Sequence, residues 1–242
     1  MWVIFKKEIR SFLGSFIAYI VIGVFLILTG LFLWMIKGNN VFDLGIASLQ
    51  VMFEIAPYIL IFLVSAITMK SISDEKRLGT LEILTTKPIT DTAIIAGKFF
   101  ASVTLIAIAI VPTLFYFYAV YQLATPVGNV DIGATIGSYF GLILLAACYA
   151  SIGMFSSSLT DNQIVALITS MLLNFFFFGV LSMLGEASWL NFIGKSLEWF
   201  GLEFHYDSIS RGLVDTRDVI YFVGFILVFL GLTKIVFESR KW

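Results

Sequence analysis

An all-α membrane protein with six transmembrane helices and an N-terminal interfacial helix is the fold this sequence predicts. Three observations predict it. Of 242 residues, 60% are hydrophobic and 13% charged, with mean hydropathy +1.00, whereas a soluble chain is about 45–50% apolar and about 25% charged. Six stretches reach the ~20 mostly apolar residues that cross a hydrocarbon core. The charged residues fall between these stretches and not in their middles. The composition also excludes other classes. A single cysteine, Cys148, rules out a disulfide framework, and a single histidine, His205, rules out a Cys/His zinc site. A net charge of −1 provides no basic field for nucleic acid.

The elements follow in chain order. Trp2, Phe5, Ile9, Phe12, Leu13 and Phe16 fall within an arc of about 100° on a helix, with Lys7, Glu8, Arg10 and Ser11 outside it. Lys6 borders the arc and can snorkel. This pattern predicts a helix lying on the membrane surface, turning at Gly14-Ser15 into the first span. Spans are predicted at 16–36, 51–69, 99–123, 136–155, 164–184 and 219–237. The first resembles a signal peptide in its basic flank, but it is too long for an h-region and no small-residue cleavage site follows, so it is read as retained. Glu54 lies near the start of the second span, within reach of the interface, and Pro112 is predicted to kink the third. Thr160-x-x-Gln163 reads as a capping box opening the fifth.

In the segment 185–218, Trp189, Leu190, Ile193, Leu197 and Phe200 recur at helical spacing. Gly201 breaks the run, and Asp215 or Thr216 is placed to cap the sixth span. Two short interfacial or re-entrant helices are expected there, serving as an outer gate, as a contact for an external component, or as an aromatic belt at the headgroups. No piece outside the spans is long enough for a core of its own, so residues 1–242 read as a single transmembrane domain.

Orientation follows from the basic residues. Eleven Lys and Arg lie on the side holding both termini and the loop 70–98. Four (Lys37, Lys195, Arg211 and Arg217) lie on the other. The positive-inside rule then predicts a multi-pass protein of a bacterial cytoplasmic (inner) membrane with both termini cytoplasmic.

Machinery for chemistry is missing from the sequence. Gly194-Lys195-Ser196 imitates the end of a P-loop, but Trp189 stands where its first glycine belongs. No base–nucleophile set supports an intramembrane enzyme, and His205 reads as an ordinary outer-loop residue. The deep polar residues are mild: Ser65, Thr104, Cys148, Ser151, Thr169, Ser170 and Asn174. Asn174 is the best internal hydrogen-bond former and is expected to pack between helices. A stand-alone secondary transporter or channel, the alternative reading, usually carries ionisable residues at this depth. A chain without them, and without a cofactor site, takes its driving force from a partner.

The loop 70–98 is the informative piece. Asp74-Glu75-Lys76-Arg77 meets Gly79, where the backbone can reverse. Thr80 is placed to cap a short helix over 81–85, with Glu82 in its first turn. Pro88 closes that helix, and Thr90 or Asp91 caps the next, which runs into the third span. The short helix presents Leu81, Ile83 and Leu84 among charges, as a groove on a partner requires. The run Glu75-Lys76-Arg77-x-Gly79-Thr80-Leu81-Glu82-x-Leu84-x-x-x-Pro88-Ile89-Thr90, followed by Gly97-Lys98, resembles the cytoplasmic loop of ABC-2 type transporter permeases. Within that group the likeness is greatest to the gliding-motility-associated permease, and the permease of nitrous oxide reductase maturation is also similar. The likeness covers essentially the whole chain. It implies a coupling helix docked on a separate cytoplasmic ABC ATPase subunit, with Glu75, Arg77, Gly79, Thr80, Leu81, Glu82, Leu84 and Pro88 in the transmission element. It also implies that ATP and Mg are held by that partner, and that a second permease chain, identical or related, completes the assembly.

Overall fold

Local signals set most helix ends in the computed structural model, which describes residues 1–37, 40–80, 90–186 and 194–239. The N-terminal helix Trp2–Leu13 stops at Gly14, and span 1, Phe16–Trp34, starts after Ser15. Span 2 is Gln50–Thr68, followed by the short helix Ser73–Arg77. Span 3 starts at Asp91, capped by the Thr90 hydroxyl on the Ala93 amide (3.3 Å). At Pro112 it tightens into the 3₁₀ turn Val111–Thr113, then continues as Leu114–Leu123. Span 4, Ile132–Leu159, is capped by Asp131 on the Ala134 amide (2.9 Å). Span 5 is Gln163–Phe175, continued by a π-helical turn, Phe176–Val180, and by Leu181–Glu186. Two short helices, Gly194–Trp199 and Leu202–Ser210, called outer helices after the segment predicted above, precede span 6, Thr216–Ser239. No strand occurs among the described residues, and six of these helices are long and apolar enough to cross a membrane.

Spans 3 and 4 exceed their predicted limits by the most, and for one reason. Hydropathy stops at polar residues, but the helices continue through them once those residues are partnered inside the protein. Span 3 begins at Asp91 instead of 99 because Lys98 is buried within it. Span 4 runs on through Ser156, Ser157 and Ser158, all fully buried. Of the expected outer helical run, residues 187–193 lie outside the described residues.

Span 4 is the centre of the bundle. Spans 2, 3, 5 and 6 and the outer helix Leu202–Ser210 all pack on it. Lipid tails are as apolar as leucine, so association inside a bilayer depends on close packing and interhelical hydrogen bonds. Small residues on span 4 provide the closeness. Gly137 meets the backbone of Gly212, Gly141 meets Ile209, and Gly153 admits Thr68 of span 2 and Ser170 of span 5. Ala146, Ala147 and Ala150 are buried between them.

Pro57 lies inside span 2. It has no N–H, so the carbonyl one turn back, that of Phe53, loses its helical donor. The Tyr206 hydroxyl of the outer helix donates to that carbonyl at 2.8 Å. Burial pushes the Tyr206 phenol up, helped by the nearby charge of Glu54, so it keeps the proton it donates. A sequence feature that would weaken an isolated helix thus fixes where the outer helix docks.

A side chain at Gly153 has no room: its Cβ would lie 2.8 Å from the Thr68 Cβ. Gly153→Val is therefore expected to destabilise the bundle by about 1–3 kcal/mol or more. Gly224→Val, where a Cβ meets nothing within 4 Å, should leave it unchanged. Thermal unfolding in detergent compares the two.

Candidate functional site

Lys98, 1% exposed, sits on the first turns of span 3. A buried ammonium with no compensation is strongly unfavourable, so its surroundings must supply charge and acceptors. Its Nζ donates to the Ser71 carbonyl at 2.6 Å and to Glu8 Oε1 at 2.9 Å, and it pairs with Glu75 Oε1 at 2.9 Å. Lys7 donates to the same Glu75 oxygen at 2.9 Å. Two lysines and two carboxylates thus neutralise one another. Glu75, 7% exposed, leaves its Oε2 buried and without a hydrogen bond among the described residues. Partial burial pulls the Lys7 ammonium down, but the hydrogen bond and charge of Glu75 and the charge of Glu8 outweigh it and hold the group above its usual range. Its contribution is therefore complete below the ordinary lysine range and is lost as pH rises through the raised value.

Three elements meet at this cluster because of their local sequences. Ile4 and Glu8 are one helical turn apart and share a face. Ile4 is buried against Gly97, where a Cβ would lie 3.1 Å from the Met1 carbonyl and 3.3 Å from the Ile4 Cβ. Gly97 lets the N-terminal helix approach span 3, and Lys98, its neighbour, then reaches Glu8. This gives the Gly97-Lys98 pair a physical meaning that spacing alone did not provide.

A second set of bonds fastens the loop to spans 4 and 5. Ser157 Oγ accepts from the amides of Ile72 and Ser73, both at 3.0 Å, and donates to the Met69 carbonyl at 3.0 Å. One hydroxyl thereby satisfies two amides left open where span 2 ends and joins the Ser73 hydroxyl on the Met69 carbonyl. Lys76 donates to the Ser158 carbonyl. Asp74 Oδ1 accepts from Gln163 and, at 3.0 Å, from Arg77. Gly79 has φ +66°, the left-handed conformation expected for the reversal. The Thr80 hydroxyl lies 3.5 Å from the Glu75 carbonyl. Of the predicted loop residues, Glu75, Arg77, Gly79 and Thr80 are brought together here, whereas Leu81, Glu82, Leu84 and Pro88 lie outside the described residues.

Two readings are corrected. Thr160-x-x-Gln163 does not close as a capping box. Asn162 caps the helix on the Ile164 amide (2.9 Å), and Asp74 draws the Gln163 amide across to the loop. His205 is not an ordinary outer-loop residue. It is buried, stacks on Tyr221 with centroids 3.8 Å apart, and places Nδ1 2.7 Å from Asp218 and Nε2 2.9 Å from the Trp199 carbonyl. It joins both outer helices to span 6.

Deeper in the bundle, Asn174 lies where interhelical packing was expected. Its Nδ2 donates to Ser65 of span 2 at 3.4 Å and to Ser170 at 3.3 Å, and the two serine hydroxyls are 2.8 Å apart. The π-helical turn begins two residues later. Such turns recur at functional sites.

Sequence reasoning did not identify Lys98, Glu8, Ser157 and Gln163 as partners of the loop. Two signals were available. Lys98 interrupts an otherwise apolar stretch, and Glu8 stands one helical turn from Ile4, on the same face.

The family model for ABC-2 family transporter proteins matches residues 43–204, more than half of the chain. The chain belongs to that family, the membrane permease component of ABC transporters, which usually pairs with an ATPase subunit and is not itself the catalytic component. No curated protein matches the sequence.

Removing one member of a buried ionic cluster leaves its partners uncompensated. Lys98→Met is expected to cost about 3–5 kcal/mol, read as a lowered unfolding temperature in detergent. Lys7→Gln removes a side chain that is 57% exposed and should cost about 1 kcal/mol or less.

Proposed function

We propose that this member of the ABC-2 family couples ATP hydrolysis by a separate cytoplasmic ATPase subunit to movement of its own spans, with the loop 70–98 as the docking and transmission element. One observation carries the reading. Glu75, inside the loop motif, is buried and shared by Lys98 of span 3 and Lys7 of the N-terminal helix. The neighbouring Asp74 and Lys76 hold spans 5 and 4. A displacement applied to the loop would therefore act on several spans at once. The partner needs no contact with the membrane interior to move it.

On this reading both termini and the loop are cytoplasmic, in a bacterial inner membrane, as the lysine and arginine distribution favours. ATP and Mg bind in the partner, and this chain holds no cofactor. A second permease chain, identical or related, completes the pathway. The ATPase shifts the equilibrium between two permease arrangements by binding them unequally, and moving it from 1:99 to 99:1 takes about 5.5 kcal/mol of difference. The work is export, or action on an envelope machinery of the gliding type. The gliding assignment is carried by the sequence resemblance.

Co-expression with cytoplasmic ATPases of the same cell, followed by purification in mild detergent, tests this. One ATPase should be retained, and Glu82→Arg or Leu84→Arg should reduce its recovery at least tenfold while the permease stays folded. Retention of no ATPase in any combination contradicts the proposal. Undiminished recovery with both variants removes the loop from it.

A further inference from the structure

Between the N-terminal helix and the ends of spans 1, 2 and 3 lies a cavity of about 210 Å³ that the coupling cluster does not fill. Its lining is of two kinds: Phe12, Ile67 and Leu105 are among the apolar residues, and Ser11, Ser15, Lys70 and Asp74 among the polar ones. Ser15 marks the turn where the chain leaves the N-terminal helix and enters span 1, so this polar lining lies at headgroup depth.

Polar atoms of both signs remain open in this lining. Lys70 makes no ion pair among the described residues, and neither the Ser11 nor the Ser15 hydroxyl has a hydrogen bond there. Ser15 is the N-cap of span 1 yet makes no side-chain cap bond, and the first amides of a helix have no intrahelical acceptor. These donors suit a phosphate. Asp74 accepts both Arg77 and Gln163 through Oδ1, and its Oδ2 has no hydrogen bond among the described residues. Glu8, also in the wall, engages Lys98 and Lys7 through Oε1. Open carboxylate oxygens beside an open lysine suit a group carrying a phosphate and an ammonium together.

We infer that this cavity binds the headgroup of a zwitterionic aminophospholipid, with the phosphodiester at Lys70, Ser11 and Ser15 and the primary ammonium at Asp74. The volume supports this occupant: it falls below the ~300–1,000 Å³ of pockets that enclose a whole drug-sized ligand. It takes a headgroup and leaves the acyl chains outside, along the exposed Phe16 and Ile17 of span 1. A trimethylated choline has no N–H to offer Asp74, so the site distinguishes the two headgroups. The inference depends on the chain spanning a membrane and not on the coupling proposal.

Delipidated protein in detergent, titrated with phosphatidylethanolamine or phosphatidylcholine and followed by native mass spectrometry, tests it. The ethanolamine lipid should bind about fivefold or more tightly than the choline lipid, and Lys70→Gln should weaken it by about fivefold. Lys6→Gln, which alters an exposed cation outside the cavity, should leave binding unchanged. Soluble phosphoethanolamine, which has no acyl chains, should compete only at far higher concentration than the lipid. Equal affinity for both lipids, wild-type affinity in Lys70→Gln with unchanged unfolding temperature, or phosphoethanolamine binding as tightly as the lipid would each overturn the inference.

Discussion

A lysine with 1% of its surface exposed constrains everything around it, because a buried ammonium needs a counter-charge and acceptors at hydrogen-bond distance. Lys98 draws Glu8 from the N-terminal helix, Glu75 from the loop helix and the Ser71 carbonyl from the end of span 2. Those demands set the position of the N-terminal helix on span 3, which Gly97 then permits. They also set the direction in which the loop leaves span 2. Replacing the cluster with apolar side chains could match its stability. What the charges add is a specific geometry, since each carboxylate comes from a different element.

The rest of the bundle follows a related economy of backbone groups. In a membrane each open carbonyl or amide must find a partner within the protein. Tyr206 takes the Phe53 carbonyl that Pro57 leaves open, and Ser157 closes the end of span 2. Near Pro112 the Thr113 hydroxyl folds back on the Ile110 carbonyl at 2.7 Å and meets Tyr139 at 2.9 Å. Glycines and serines on span 4 bring these donors close enough to act. At these positions the polar side chains stabilise helix ends and interruptions, where the helix ladder is broken.

This explains what was legible in the sequence. The six spans, the N-terminal helix, the Gly14-Ser15 turn, the Thr90 cap and the reversal at Gly79 rest on composition and local backbone preference, which a sequence states directly. Span ends at Asp91 and Leu159, the destination of Gln163 and the burial of His205 depend on residues far away in the chain. Lys98 needs Glu8, 90 positions earlier, and Gln163 needs Asp74, 89 positions earlier. No local pattern announces such pairs. The π-helical turn after Asn174 also lacked a signal, since Phe176, Phe177 and Phe178 read as ordinary apolar span.

If the loop transmits motion, its first helix must move with the spans as one body. Electron paramagnetic resonance between spin labels at Leu78 and Phe100, both exposed, measures this most directly in a Cys148→Ala background with the ATPase bound. The account predicts a narrow distance distribution that stays the same with and without ATP, and that broadens in Glu75→Gln. A distribution that is broad in the wild type, or that shifts with nucleotide while the spans stay fixed, would contradict it.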